Sequence, residues 1–126
     1  MTERGLHEDR RERFAAIVGD LIVVIPAGFE QTRNDDVDHP FRQQSDFYYL
    51  TGFEEPDAVA LIDPSAVDEQ YVLFVRPRDR EMEIWNGYRA GVEGAMERFG
   101  ADAAYPIEDL ESHLRRRLVG RSRVMV

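Results

Sequence analysis

The residues that could do chemistry in this sequence are few and scattered. Its only histidines are His7, His39 and His113, in three separate segments and in no HExxH-type arrangement. A hydrolytic metal needs such ligands to converge. Asp35, Asp36 and Asp38 could hold a hard cation, but "DDVD" lacks the glycine and terminal glutamate of a calcium loop. Acidic loops of this kind are usually just solvated. Cysteine and lysine are absent, so a nucleophile would have to be a hydroxyl. Ser45 has no Gly-x-Ser-x-Gly context and no evident histidine base, and no glycine loop is built to cradle phosphate. The residues alone point to no catalytic centre and no metal site.

Two stretches are harder to dismiss. "HPFRQQSDFYYLTGF", His39 to Phe53, combines Phe41, Phe47, Tyr48, Tyr49 and Phe53 with an arginine, two glutamines and an acid. It is either a ligand contact or a polar piece of framework. Framework is the simpler reading, with the aromatics in the core and Arg42 and Asp46, at i and i+4, organising a loop. Trp85, the only tryptophan, sits in the polar run "EIWNGYR". A core tryptophan usually lies in an apolar element. One on a glycine-flanked polar loop suits a contact surface for a ligand or another subunit, although a core role stays open.

The totals set the frame for these residues. A chain of 126 residues is expected to form one domain around a single modest core. Sixteen basic against 25 acidic residues give a net charge of −9, which disfavours nucleic acid and anionic membrane surfaces as partners. The charged N-terminus has no signal-like apolar core, and the longest apolar run, Leu21 to Ile25, is too short to span a bilayer. A cytoplasmic protein is the plain expectation.

The elements follow from periodicity. Leu6 to Val18 predicts a charged helix whose apolar contribution is Leu6, Phe14, Ile17 and Val18. "LIVVI", "AVALI" and "YVLFV" predict three strands side by side in one sheet, the last two antiparallel. "RPRDREMEIWNGYRAG" reads as an irregular excursion. Val92, Ala95, Met96 and Phe99 lie on one face of a helix stopped by Gly100. Ile107, Leu110, Leu114 and Leu118 mark another, with Pro106 in its first turn and Gly120 as its cap. "VMV" opens a further strand, so more protein is expected downstream.

With those elements in place, "FRQQSDFYYLTGFEEPDAVALI" followed by "LFVRPRDREMEIWNGYRAGVEGAMERFGADAAYPIEDL" resembles the N-terminal domain of Xaa-Pro aminopeptidase (aminopeptidase P), from Arg33 to about Leu118. The resemblance implies a single α/β domain over residues 1–126, a mixed sheet with helices on both faces. It implies a parent enzyme whose separate C-terminal domain, of pita-bread fold, binds two divalent metals, usually manganese, on two aspartates, a histidine and two glutamates. That enzyme removes the residue preceding proline from a peptide's N-terminus. None of the five ligands has a counterpart here, so catalytic and metal residues are expected to be absent. The N-terminal domain's implied part is to build subunit contacts in a homo-oligomer and to narrow the substrate channel. Trp85 and Asp36 match channel-wall positions, with Arg42 and Asp46 as supporting framework. A prolidase, cleaving only dipeptides, and a stand-alone oligomerisation or peptide-binding module are the alternatives.

Overall fold

A computed structural model describes residues 3–19, 21–28, 45–119 and 124–125. Its elements run α1 (Glu3–Val18), β1 (Ile22–Pro26), α2 (Ser45–Thr51), β2 (Val59–Ile62), β3 (Tyr71–Val75), α3 (Arg80–Asn86), α4 (Gly91–Phe99) and β4 (Ala103–Pro106). A 3-10 turn (Ile107–Asp109), α5 (Leu110–Leu118) and β5 (Val124–Met125) complete the chain. The strands form one mixed sheet in the order β4-β3-β2-β1-β5, in which β2 is antiparallel to both neighbours while β4 and β5 join in parallel. The expected adjacency of the three apolar strands is observed.

Strand alternation divides the core in two. Val23, Ala60, Ile62, Leu73 and Val75 face α1, α2 and α4, packing on Phe47, Phe53 and Ala95. Ile22, Val24, Leu61, Val72 and Phe74 face the opposite way, toward Leu110, Leu114 and Leu118 of α5. β3 and β4 are linked outward through α4, whereas β4 and β5 are linked back across the sheet through α5. Two crossovers of the same hand that run in opposite directions must lie on opposite faces. This is the mixed, doubly covered sheet that the resemblance implies.

Four local expectations are corrected. The excursion through Trp85 contains a helix, α3, and the polar framework stretch ends in another, α2. Both are seven residues long, too short for a periodic signal to stand out, and their hydrogen-bonded ends hold them instead. β4, also unanticipated, is a four-residue strand with Ala104 buried and the other three half-buried, ending at Pro106, which closes the strand rather than opening a helical turn. Ile17 is 84% exposed, while His7 and Arg11 of the same helix are buried. Arg42 and Gly120 lie outside the described residues, as does Phe41.

The rotation of α1 has a cause. Helix α2 ends against it, and its last carbonyls need donors. His7 Nδ1 bonds the Tyr49 carbonyl at 2.9 Å and Arg11 Nη1 donates to the Leu50 carbonyl at 2.9 Å. Thr51 Oγ1 donates to the Phe47 carbonyl at 2.8 Å and accepts from the Phe53 N–H at 3.0 Å. Gly52, at φ 70°, finishes the turn, and a Cβ there would stand 2.6 Å from His7 Cδ2. Gly52→Ala is therefore expected to cost about 1–2 kcal/mol, combining left-handed strain with the push on His7. Urea unfolding followed by circular dichroism measures it. A midpoint equal to that of the unmodified chain would show that the α1–α2 junction yields freely.

Candidate functional site

Helix α3 projects from the C-terminal end of β3. Seven residues form a helix poorly unaided, and both ends of this one are fastened. Asp79 Oδ1 accepts from the backbone N–H groups of Glu81 and Met82 at 3.1 and 3.2 Å, an N-cap that also answers the helix dipole. At the other end Gly87, at φ 96°, donates its N–H to the Glu83 carbonyl at 3.0 Å. The positive φ there suits glycine.

Glu83 joins the two flanks. Its Oε1 accepts from Arg78 Nη2 at 3.0 Å and from the Arg89 backbone N–H at 2.9 Å, while Oε2 accepts from Arg78 Nε at 3.4 Å. The Arg89 N–H, and after it the Arg78 guanidinium, holds this carboxyl below the usual carboxylate range. Glu55 repeats the device one layer lower. Its Oε2 accepts from the Ala90 N–H at 2.8 Å, and its Oε1 meets Arg76 at 3.5 Å. Arg89 also donates to the Pro77 carbonyl at 3.2 Å. The stem of Arg78 lies against Gly91, where a Cβ would stand 2.6 Å from its Cγ. Tyr88 is flanked by the guanidinium groups of Arg78 and Arg98, each 5.0 Å from its ring centroid, and its hydroxyl accepts from Arg98 at 2.7 Å.

This fastened corner displays its apolar side chains outward. Trp85 is 83% exposed, Ile84 78% and Tyr88 58%. The exposure expected of Trp85 is observed, although its carrier is a capped helix and not a loop. Asp46 is exposed in the first turn of α2, where its charge suits the helix N-terminus, and lines a cavity of about 840 Å³ beside Arg13, Phe14, Ile17 and Tyr49. Asp36, expected at the channel wall, and Arg42, expected as supporting framework, lie outside the described residues. Sequence reasoning passed over Asp79, Glu83 and Glu55. An N-cap aspartate followed by two acids and closed by glycine was a signal for the first two. Glu55 acts over 35 residues and left none.

A second polar cluster sits on the far face of the sheet. Arg117 of α5 donates to Asp63 at 2.9 Å, to the Glu69 carbonyl at 2.8 Å and to His113 Nε2 at 2.8 Å. Tyr105 donates to the Glu69 carboxylate. Arg117 and its acceptors tie α5 to the β2–β3 turn, while His113 Nδ1 is buried without a hydrogen-bond partner, and among the described residues no three His, Asp or Glu side chains converge as a metal site.

Fold and site together define an α/β domain with an aromatic corner displayed on its surface. The chain belongs to the family described as aminopeptidase P, N-terminal domain, whose model matches residues 7–126. It is 42% identical over 108 residues to the Xaa-Pro aminopeptidase of Haemophilus influenzae, an alignment covering 85% of this chain and 25% of that protein. Among solved structures it matches the aminopeptidase PepP of Pseudomonas aeruginosa with a TM-score of 0.91 and 44% identity, over 98% of this chain and 28% of that one. It also matches a zinc-substituted Escherichia coli aminopeptidase P in complex with product, with a TM-score of 0.79 and 37% identity, over 93% and 27% of the two chains. The chain thus spans about a quarter of the length of these relatives. No helix among the described residues is long and apolar enough to cross a membrane.

Proposed function

We propose that this chain is the N-terminal part of a cytoplasmic, homo-oligomeric Xaa-Pro aminopeptidase and takes no chemical step itself. It narrows the path of the peptide and contributes to subunit contacts, with Trp85 as channel wall and Asp36 beside it. The reaction is hydrolysis of the bond between an N-terminal residue and proline, carried out by a separate domain on two divalent metals, with manganese the expected pair. The described residues of this chain do not fit those metals, since no set of ligands converges.

One observation carries the reading. A tryptophan 83% exposed, on a helix capped by Asp79 and fastened by Glu83, is a contact group prepared in advance of its partner. A narrow entrance suits an exopeptidase because it turns away folded chains and aligns a free amino terminus.

The test has two arms. The purified 126-residue chain, supplied with Mn²⁺ and an Xaa-Pro-Yaa tripeptide, is expected to show no turnover. Chelator-sensitive hydrolysis by this chain would refute the assignment of chemistry to another domain. The full-length parent is expected to release the first residue of the tripeptide. Cleavage of Xaa-Pro dipeptides alone would make it a prolidase instead.

A further inference from the structure

We infer that Glu83 is a positioning residue for Trp85, setting the direction in which the indole is presented, an inference that rests on the proposed channel role of that tryptophan. Trp85 is 83% exposed and has too little packing to hold an orientation. Its direction must come from the backbone of α3, and seven residues do not keep a helix straight unaided.

Glu83 is the side chain of α3 that reaches both flanks of the helix, beside the Arg89 Nη1 bond to the Pro77 carbonyl at 3.2 Å. It lies two residues before Trp85 and only 10% of its side chain is exposed, although its helix stands at the surface. One carboxylate takes the Arg78 guanidinium from the strand side and the Arg89 N–H from the far side, at 3.0 and 2.9 Å. The segment from Arg78 to Arg89 becomes a closed loop with Trp85 on its outer rim. Asp79 fixes only the first turn, and Glu55 grips the chain only beyond the loop, through the Ala90 N–H. Removing Glu83 would free α3 itself from both flanks and leave the loop closed only through the Arg89–Pro77 bond, which does not touch the helix, while the sheet and both halves of the core lose nothing.

Trp85 is the sole tryptophan of this sequence, so its emission reports on the proposal directly. In the 126-residue chain, Glu83→Ala is expected to raise the fast component of the anisotropy decay about twofold, with the far-ultraviolet dichroism unchanged. Glu83→Gln keeps an oxygen for the Arg89 N–H and should recover part of the slow component. It also takes over as the test variant if the alanine form fails to fold. In the full-length parent, Glu83→Ala should raise KM for Xaa-Pro-Yaa peptides on the order of tenfold and leave kcat within a factor of about two. An anisotropy decay in Glu83→Ala identical to that of the unmodified chain overturns the proposal. A loosened Trp85 with unaltered kinetics keeps Glu83 as the group that orients it and removes Trp85 from the substrate path.

Discussion

Arg117→Met should lower the unfolding free energy by about 3 kcal/mol, the largest single-residue loss expected on the α5 face. The aliphatic stem is kept, so packing changes little, but Asp63, His113 Nε2, the Glu69 carbonyl and, at 3.4 Å, the Glu69 carboxylate lose this donor. Asp63 is 1% exposed and takes Arg117 Nη1 at 2.9 Å, while Ser65 donates to its other oxygen at 3.2 Å. Glu69, at φ 50°, is a non-glycine residue in the left-handed region, held there by Arg117 on its carbonyl and by Tyr105 on its carboxylate. Urea titration by circular dichroism checks the size. Arg115→Ala, which breaks an ion pair 77% exposed on both sides, is the control and should leave the midpoint in place. Equal midpoints for the two variants would remove Arg117 from the account of stability.

The same cluster sets a pH dependence. Because Arg117 Nε can only donate, His113 Nε2 must accept, which places the proton of a neutral ring on Nδ1. Burial first, and then Arg117, pushes this imidazole below its ordinary value. Unfolded His113 takes up a proton near pH 6.5 while the folded ring stays neutral, so the stability is present above that pH. It falls from there until the folded pKa is passed. Removing Arg117 takes away the neighbouring cation and should flatten this acid limb as well as lower the plateau.

Trp85→Ala in the full-length parent should reduce kcat/KM for Xaa-Pro-Yaa peptides by roughly thirtyfold, about 2 kcal/mol of transition-state stabilisation. The indole offers a rigid apolar wall with a polar edge, and alanine leaves that stretch of channel to water. Stability should hardly change, because a side chain 83% exposed gives up little buried area. In the isolated chain, red-shifted and readily quenched emission is expected of it. An unaltered kcat/KM in a folded, fully assembled variant would exclude Trp85 from the path of the peptide.

Much of the scaffold was legible because long apolar runs leave little choice. Five consecutive apolar residues at Leu21–Ile25 and the runs Val59–Ile62 and Tyr71–Val75 can only be covered on both faces. The α4 stripe of Val92, Ala95, Met96 and Phe99 and its Gly100 stop, at φ 76°, read as well in sequence as in three dimensions. The candidate site was half legible. A lone tryptophan in a polar run announced its exposure, but not the helix that carries it, because α3 has no core-facing period and depends on Asp79 and Glu83.

The sequence by itself therefore determined the local terms: which segments are apolar on both sides, that a left-handed Gly100 ends α4, and that no cysteine or lysine chemistry is available. Only the tertiary structure decided which polar residues are buried and for whom. His7 and Arg11 are inside because the Tyr49 and Leu50 carbonyls of α2 end there, about forty residues along the chain. Arg117 is placed by Asp63, 54 positions away, and Glu55 by a backbone N–H at Ala90. A hydrogen bond is satisfied by whatever donor the fold brings within about 3 Å, and that proximity has no period along the chain to read.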